Sequence, residues 1–79
     1  MGWVKNDIMT DDEILSEIKK SYPDKLSVAI GVRKSRSGSV YEFLTDLMKD
    51  EFDVSLSQCG RIALKLKDYY GFKKFYATD

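Results

Sequence analysis

The apolar positions of the chain recur with two different periods, and the switches between them predict the elements. Ile14, Leu15, Ile18 and Tyr22 are spaced three and four apart, as one face of a helix over residues 10–22 requires. Thr10 followed by Glu13 is a capping box, Asp11 and Asp12 sit where the helix dipole favours anions, and Met9 with Ile14 makes a hydrophobic staple. Lys19 and Lys20 suit the last turn, and Pro23 ends it. The period then becomes two. Leu26, Val28, Ile30 and Val32 alternate with Ser27, Ala29, Gly31 and Arg33, which predicts a strand over residues 25–33. Gly31 inside it marks a bulge or a close approach.

Helical spacing returns after a loop, Lys34-Ser35-Arg36-Ser37-Gly38. Ser39 with Glu42 opens a helix over residues 39–52, with Val40, Phe43, Leu44, Leu47, Met48 and Phe52 on its apolar stripe. Ser55 with Gln58 opens another over residues 55–70, burying Leu56, Cys59, Ile62, Ala63, Leu66 and one of Tyr69 and Tyr70. Gly71 fits the left-handed position after its end. Gly60 costs about 1 kcal/mol relative to Ala in a helix, which points to close packing there or to close approach of a ligand. Residues 72–77 are aromatic and basic and read as a second strand paired with Leu26–Val32. The expected fold is α+β: one domain over residues 1–79, with a lead-in over residues 1–9 and the order helix-strand-helix-helix-strand.

Composition narrows the chemistry. A chain of 79 residues has a small core, and with Cys59 as its single cysteine it has no disulfide to stiffen it. There is no histidine, no metal-ligand spacing and no carboxylate pair in an evident cleft, so no cofactor and no enzymatic activity are expected. Cys59 falls on the buried face of its helix and reads as a small core residue. No apolar run has the length of a membrane span and the first residues lack a signal-peptide core, so a cytoplasmic, soluble protein is expected.

Formal net charge is zero, but the charges are segregated along the chain. Six acids stand between Asp7 and Asp24, and five between Glu42 and Asp53, whereas five bases follow Val54. Arg33, Lys34 and Arg36 make a second basic cluster, in a loop with the composition of either an exposed connection or a phosphate cradle; its spacing is not that of a Walker motif. On the helix over residues 55–70, Ser57, Arg61, Leu64, Lys65 and Asp68 share one exposed face. Arg can read guanine, Lys and Ser can hold phosphate, and the helix N-terminus favours anions. Tyr69, Tyr70 and Tyr76 near Lys73 and Lys74 would also suit stacking on single-stranded bases.

This order of elements resembles a winged helix-turn-helix domain. The stretch from Val40-Tyr41 through Ser57-Gln58-Cys59-Gly60-Arg61 to Gly71-Phe72-Lys73-Lys74 is similar to the winged-helix modules of phage, plasmid and poxvirus-type replication proteins, with Cys59 where those modules carry Phe. The resemblance implies DNA binding in replication or transcription regulation. Ser57, Arg61 and Lys65 would lie on the recognition face, and Lys73 and Lys74 would contact phosphate at the wing base. A dimeric ribbon-helix-helix regulator is the structural alternative, with Leu26–Val32 pairing with a second copy; the chain is thus expected to be a monomer or homodimer. The functional alternative is a protein-binding or inhibitory module of phage or plasmid origin. It would use the acidic face (Asp46, Asp50, Glu51, Asp53) with exposed Leu64 and Trp3.

Overall fold

The computed structural model describes residues 9–52 and 54–78. Four helices follow one another: α1 Asp11–Ser21, α2 Lys25–Ser35, α3 Val40–Phe52 and α4 Leu56–Tyr70. An irregular segment over residues 71–78 completes the described chain. There is no strand among the described residues, so the fold is all-α, and the α+β expectation with its two-stranded sheet is overturned. The segment Leu26–Val32, which the ribbon-helix-helix alternative would use as its strand, is helical as well. Trp3 and the rest of residues 1–8, and Asp53, lie outside the described residues.

The largest correction is α2. Its apolar alternation is compatible with a helix once the angles are counted. At 3.6 residues per turn, Leu26 and Ile30 are neighbours on one side, and Val28 and Val32 are neighbours almost opposite. The helix therefore has two apolar sides rather than one. Only Val28 is fully buried, while Leu26 and Ile30 are 67% and 45% exposed. The start signal is local. The Ser27 amide donates to Asp24 Oδ1 at 2.8 Å, and the Asp24 amide donates back to Ser27 Oγ at 3.3 Å. This closes a capping box directly after Pro23, in the same way as the box of Thr10 and Glu13 on α1. A helix satisfies its backbone within the segment, whereas a lone two-stranded ribbon is marginal in water.

Residues 72–77 form a plug. Phe75 is fully buried, and its carbonyl accepts the Tyr41 amide at 3.0 Å. That amide lies in the first turn of α3 and has no partner within the helix. Phe75 meets Tyr41 and Tyr76 edge-on, with ring centroids 6.0 and 5.0 Å away. Gly71 makes the reversal possible: its φ is +74°, and the amides of Gly71 and Phe72 both donate to the Lys67 carbonyl at 2.9 and 3.3 Å.

The other three helices follow the sequence closely. Ile14, Leu15 and Ile18 of α1, Phe43, Leu44 and Met48 of α3, and Cys59, Ile62, Ala63, Leu66 and Tyr70 of α4 make the core with Val28 and Phe75. α4 packs on both α1 and α3, and α2 packs on α3. Leu56 is an exception to the expected stripe, being 76% exposed. Two capping boxes are modified. Ser39 and Ser55 cap α3 and α4 as expected, accepting the amides of Glu42 and Gln58 at 3.0 and 3.1 Å. The Glu42 carboxylate, however, takes the Gly38 amide at 3.1 Å, and the Gln58 side chain turns to α1.

Gly60 does not serve close packing among the described residues. A Cβ placed there would meet none of their atoms within 4 Å. Gly60→Ala is therefore expected to stabilise the fold by about 1 kcal/mol, the helix-propensity difference, read as a raised denaturation midpoint.

Tyr70 ties α4 to the end of α1 by donating its hydroxyl to the Tyr22 carbonyl at 2.5 Å. Burial first, then the neighbouring Tyr69, Asp24 and Tyr22, push its pKa up to about 12 from a usual value near 10. The folded state thus holds this proton more tightly than the unfolded chain. The linked stability is intact below pH 10 and declines as pH rises toward 12. A loss of about 1 kcal/mol is expected by the middle of that window, checked by denaturation at rising pH. Tyr70→Phe should remove this part of the pH dependence.

Candidate nucleic-acid interface

The sequence-selected cations fall into two groups on different parts of the molecule. Arg33 and Lys34 occupy the last turn of α2, and Arg36 follows as its left-handed cap, with φ of 60°. Arg33 and Arg36 flank a depression of about 400 Å³ between α2 and the start of α3, walled by Ala29, Val32 and Val40. A second depression, of about 310 Å³, shares Val32 and Val40 and is bordered by Lys74, Phe75 and Tyr76. Val32 and Val40 thus wall two adjoining depressions, one edged by Arg33 and Arg36 and the other by Lys74, nearly forty residues later in the chain. Lys34, Lys73 and Lys74 are exposed, and none of these five cations makes an ion pair among the described residues. Lys67 of α4 adds a cation on the same side, its Nζ 5.9 Å from the Tyr76 ring.

The second group lies along α4 beside the start of α1. Ser57, Arg61 and Lys65 are exposed and one helical turn apart. Arg61 is already engaged: its Nε donates to Asp11 Oδ2 at 3.0 Å and its Nη2 to Asp11 Oδ1 at 3.5 Å. Gln58 supports the same carboxylate, donating through Nε2 to Asp11 Oδ1 at 3.1 Å and to the Met9 carbonyl at 2.9 Å. The Arg61 hydrogen bond, which is the largest effect, together with Gln58 and the charges of Arg61 and Lys65, holds the Asp11 carboxyl below its usual range against the opposing effect of desolvation. Asp11 in turn raises Arg61. From the sequence, Asp11 is a first-turn anion and Gln58 a member of a capping box. No pattern in one dimension signals that Arg61, fifty residues from Asp11, is neutralised by it. The anion-binding start of α4 is also partly occupied, because Ser55 accepts the Gln58 amide.

The acidic side has a groove that the sequence did not reveal. It lies between α1 and α3, has a volume of about 280 Å³, and is floored by Ile18, Tyr22, Leu47 and Phe52, with Glu17 and Glu51 on its rim. Leu47 also borders a neighbouring depression edged by Asp46 and Asp50. Glu17 pairs weakly with Lys20 at 3.4 Å; Asp46, Asp50 and Glu51 make no ion pair among the described residues. Glu17 belongs to this surface because α1 and α3 lie side by side, which spacing along the chain does not encode.

Cys59 is buried, and burial pushes its thiol pKa up. Among the described residues no cluster of acidic, Cys or His side chains is placed to hold a metal ion, and no helix is long and apolar enough to cross a membrane. Comparison with protein-family profiles, with characterised proteins and with solved structures returned no match.

Proposed function

We propose that the chain is a small nucleic-acid-binding module whose phosphate-contacting surface is the end of α2 together with the turn after α4. The observation that carries this reading is the convergence of Arg33 and Arg36 with Lys74 around the shared walls Val32 and Val40. Lys34 and Lys73 extend the surface. Exposed cations without internal carboxylate partners are the groups that release counterions on binding phosphate. Tyr76 at the edge of the second depression offers a ring on which a base can stack. Ser57 and Lys65 on α4 form a secondary contact, and Arg61 acts chiefly as the partner of Asp11. This assignment needs neither a wing nor a sheet.

The test is binding of fluorescent duplex and single-stranded DNA at low and high salt, followed by anisotropy. Arg33→Ala, Arg36→Ala and Lys74→Ala combined are expected to weaken binding and to flatten its dependence on log salt by about 0.9 for each phosphate contact removed. Arg61→Ala should change affinity much less than the triple variant. A wild-type chain that does not bind at low salt, or a triple variant that binds as well as wild type, would remove the basis of the proposal.

A further inference from the structure

Among the described residues, the outer side of α2 has no partner. A helix with apolar residues on opposite sides ordinarily lies between two others, yet α2 packs mainly on α3. Leu26 and Ile30 stand in solvent one turn apart, with Ala29 exposed between them and Arg33 and Lys34 continuing toward the basic end. This face is an apolar ridge flanked by cations. Two of these faces would not suit each other, because apart from its cap Asp24 the helix carries only Lys25, Arg33 and Lys34, with Arg36 just beyond. Its complement is the groove between α1 and α3, which has an apolar floor and an acidic rim.

We propose that the outer face of α2 docks in the α1–α3 groove of a second copy of this chain, so that copies associate head to tail. A cavity of about 150 Å³ holds a benzene-sized group. The groove, at about 280 Å³, has room for two aliphatic side chains. Leu26 and Ile30, one turn apart on a helix, have the spacing for such a cleft. Arg33 and Lys34 then face Glu17 and Glu51, and Arg36 faces Asp46 and Asp50. The pairing explains two features with one contact: an apolar helix face in water, and acids (Asp46, Asp50, Glu51) and bases (Arg33, Lys34, Arg36) that make no ion pair among the described residues. Because the joined surfaces differ, the contact repeats into chains unless the rotation closes a ring. It does not depend on nucleic-acid binding, although it uses Arg33 and Arg36 and so competes with DNA for them.

Sedimentation of the whole chain over a range of concentrations, at low and high salt, tests this. Wild type is expected to associate with rising concentration and to dissociate in high salt. Leu26→Ser with Ile30→Ser should weaken association tenfold or more while leaving the helical circular dichroism unchanged. At concentrations where wild type is monomeric, it should also leave DNA affinity within about twofold of wild type. Asp50→Lys with Glu51→Lys, and separately Arg33→Glu with Arg36→Glu, should each be monomeric alone and associate when mixed, since mixing restores opposite charges across the contact. A wild type that stays monomeric at low salt overturns the proposal, as does a dimer indifferent to Leu26→Ser with Ile30→Ser, or a mixture of the reversed variants that stays monomeric. Vesicles of anionic lipid are run in parallel. Binding of monomeric wild type to them, lost in Leu26→Ser with Ile30→Ser, would assign the ridge to a lipid surface instead.

Discussion

Phe75→Ala is expected to destabilise the protein by about 3–5 kcal/mol, the usual cost of removing a fully buried phenyl ring. A chain of this length has total stability of roughly 4–12 kcal/mol, so the variant should be largely unfolded at modest urea concentrations. The size of the effect follows from position. The ring is inaccessible to solvent and lies among Tyr41, Phe72 and Tyr76, and its own carbonyl satisfies the Tyr41 amide at the start of α3. Losing the ring also loosens the segment that holds that carbonyl in place. Phe75→Leu keeps most of the apolar volume and should cost far less. Urea denaturation followed by circular dichroism measures both. A Phe75→Ala midpoint equal to that of wild type would mean that residues 72–77 do not seal the core.

Gly31→Val is expected to cost about 2 kcal/mol or more, and it separates a helix from a strand at α2 by sign. In a strand, valine replaces a poor residue with a favourable one. In α2, a Cβ at position 31 would stand 2.6 Å from Phe43 Cζ, 3.1 Å from Cε2 and 3.2 Å from Cε1. The Phe43 ring is buried and meets Tyr22 edge-on at 5.5 Å, so it has little room to yield, and the Val methyls press further into it. Gly31→Ala adds one carbon and gains about 1 kcal/mol of helix propensity, so its net loss should be smaller. The order wild type, Ala, Val in decreasing stability is the expected result of denaturant titrations. A Val variant more stable than wild type would contradict the α2–α3 packing.

Three of the four helices were legible in one dimension because their signals are local and agree. Thr10, Ser39 and Ser55 cap helices as the sequence suggests, and Gly71 adopts the positive φ expected of it. The buried faces of α1, α3 and α4 match the three- and four-residue spacing except at Leu56. Cys59 is buried as its place on that stripe implies. Segments 25–33 and 72–77 were misread for one shared reason. In each, a local pattern that suits a strand (the alternation of Leu26, Val28, Ile30 and Val32, and the aromatic run of 72–77) does not exclude another form, and the capping box of Asp24 and Ser27 starts a helix in the first. The candidate interface was legible as residue types and not as an arrangement. Arg33, Lys34, Arg36, Lys73 and Lys74 were selected as separate clusters, and Arg61 was selected without its partner.

By itself, the sequence determined where α1, α3 and α4 begin and end and which of their sides turn inward. Capping and amphipathic spacing act between residues at most four positions apart. Only the tertiary structure decided three other things: that one side of α2 is left in solvent, that Phe75 closes the core, and which charges are already paired. Those depend on contacts between residues tens of positions apart, such as Asp11 with Arg61 and Tyr41 with Phe75. No local period along the chain records a pairing of that range.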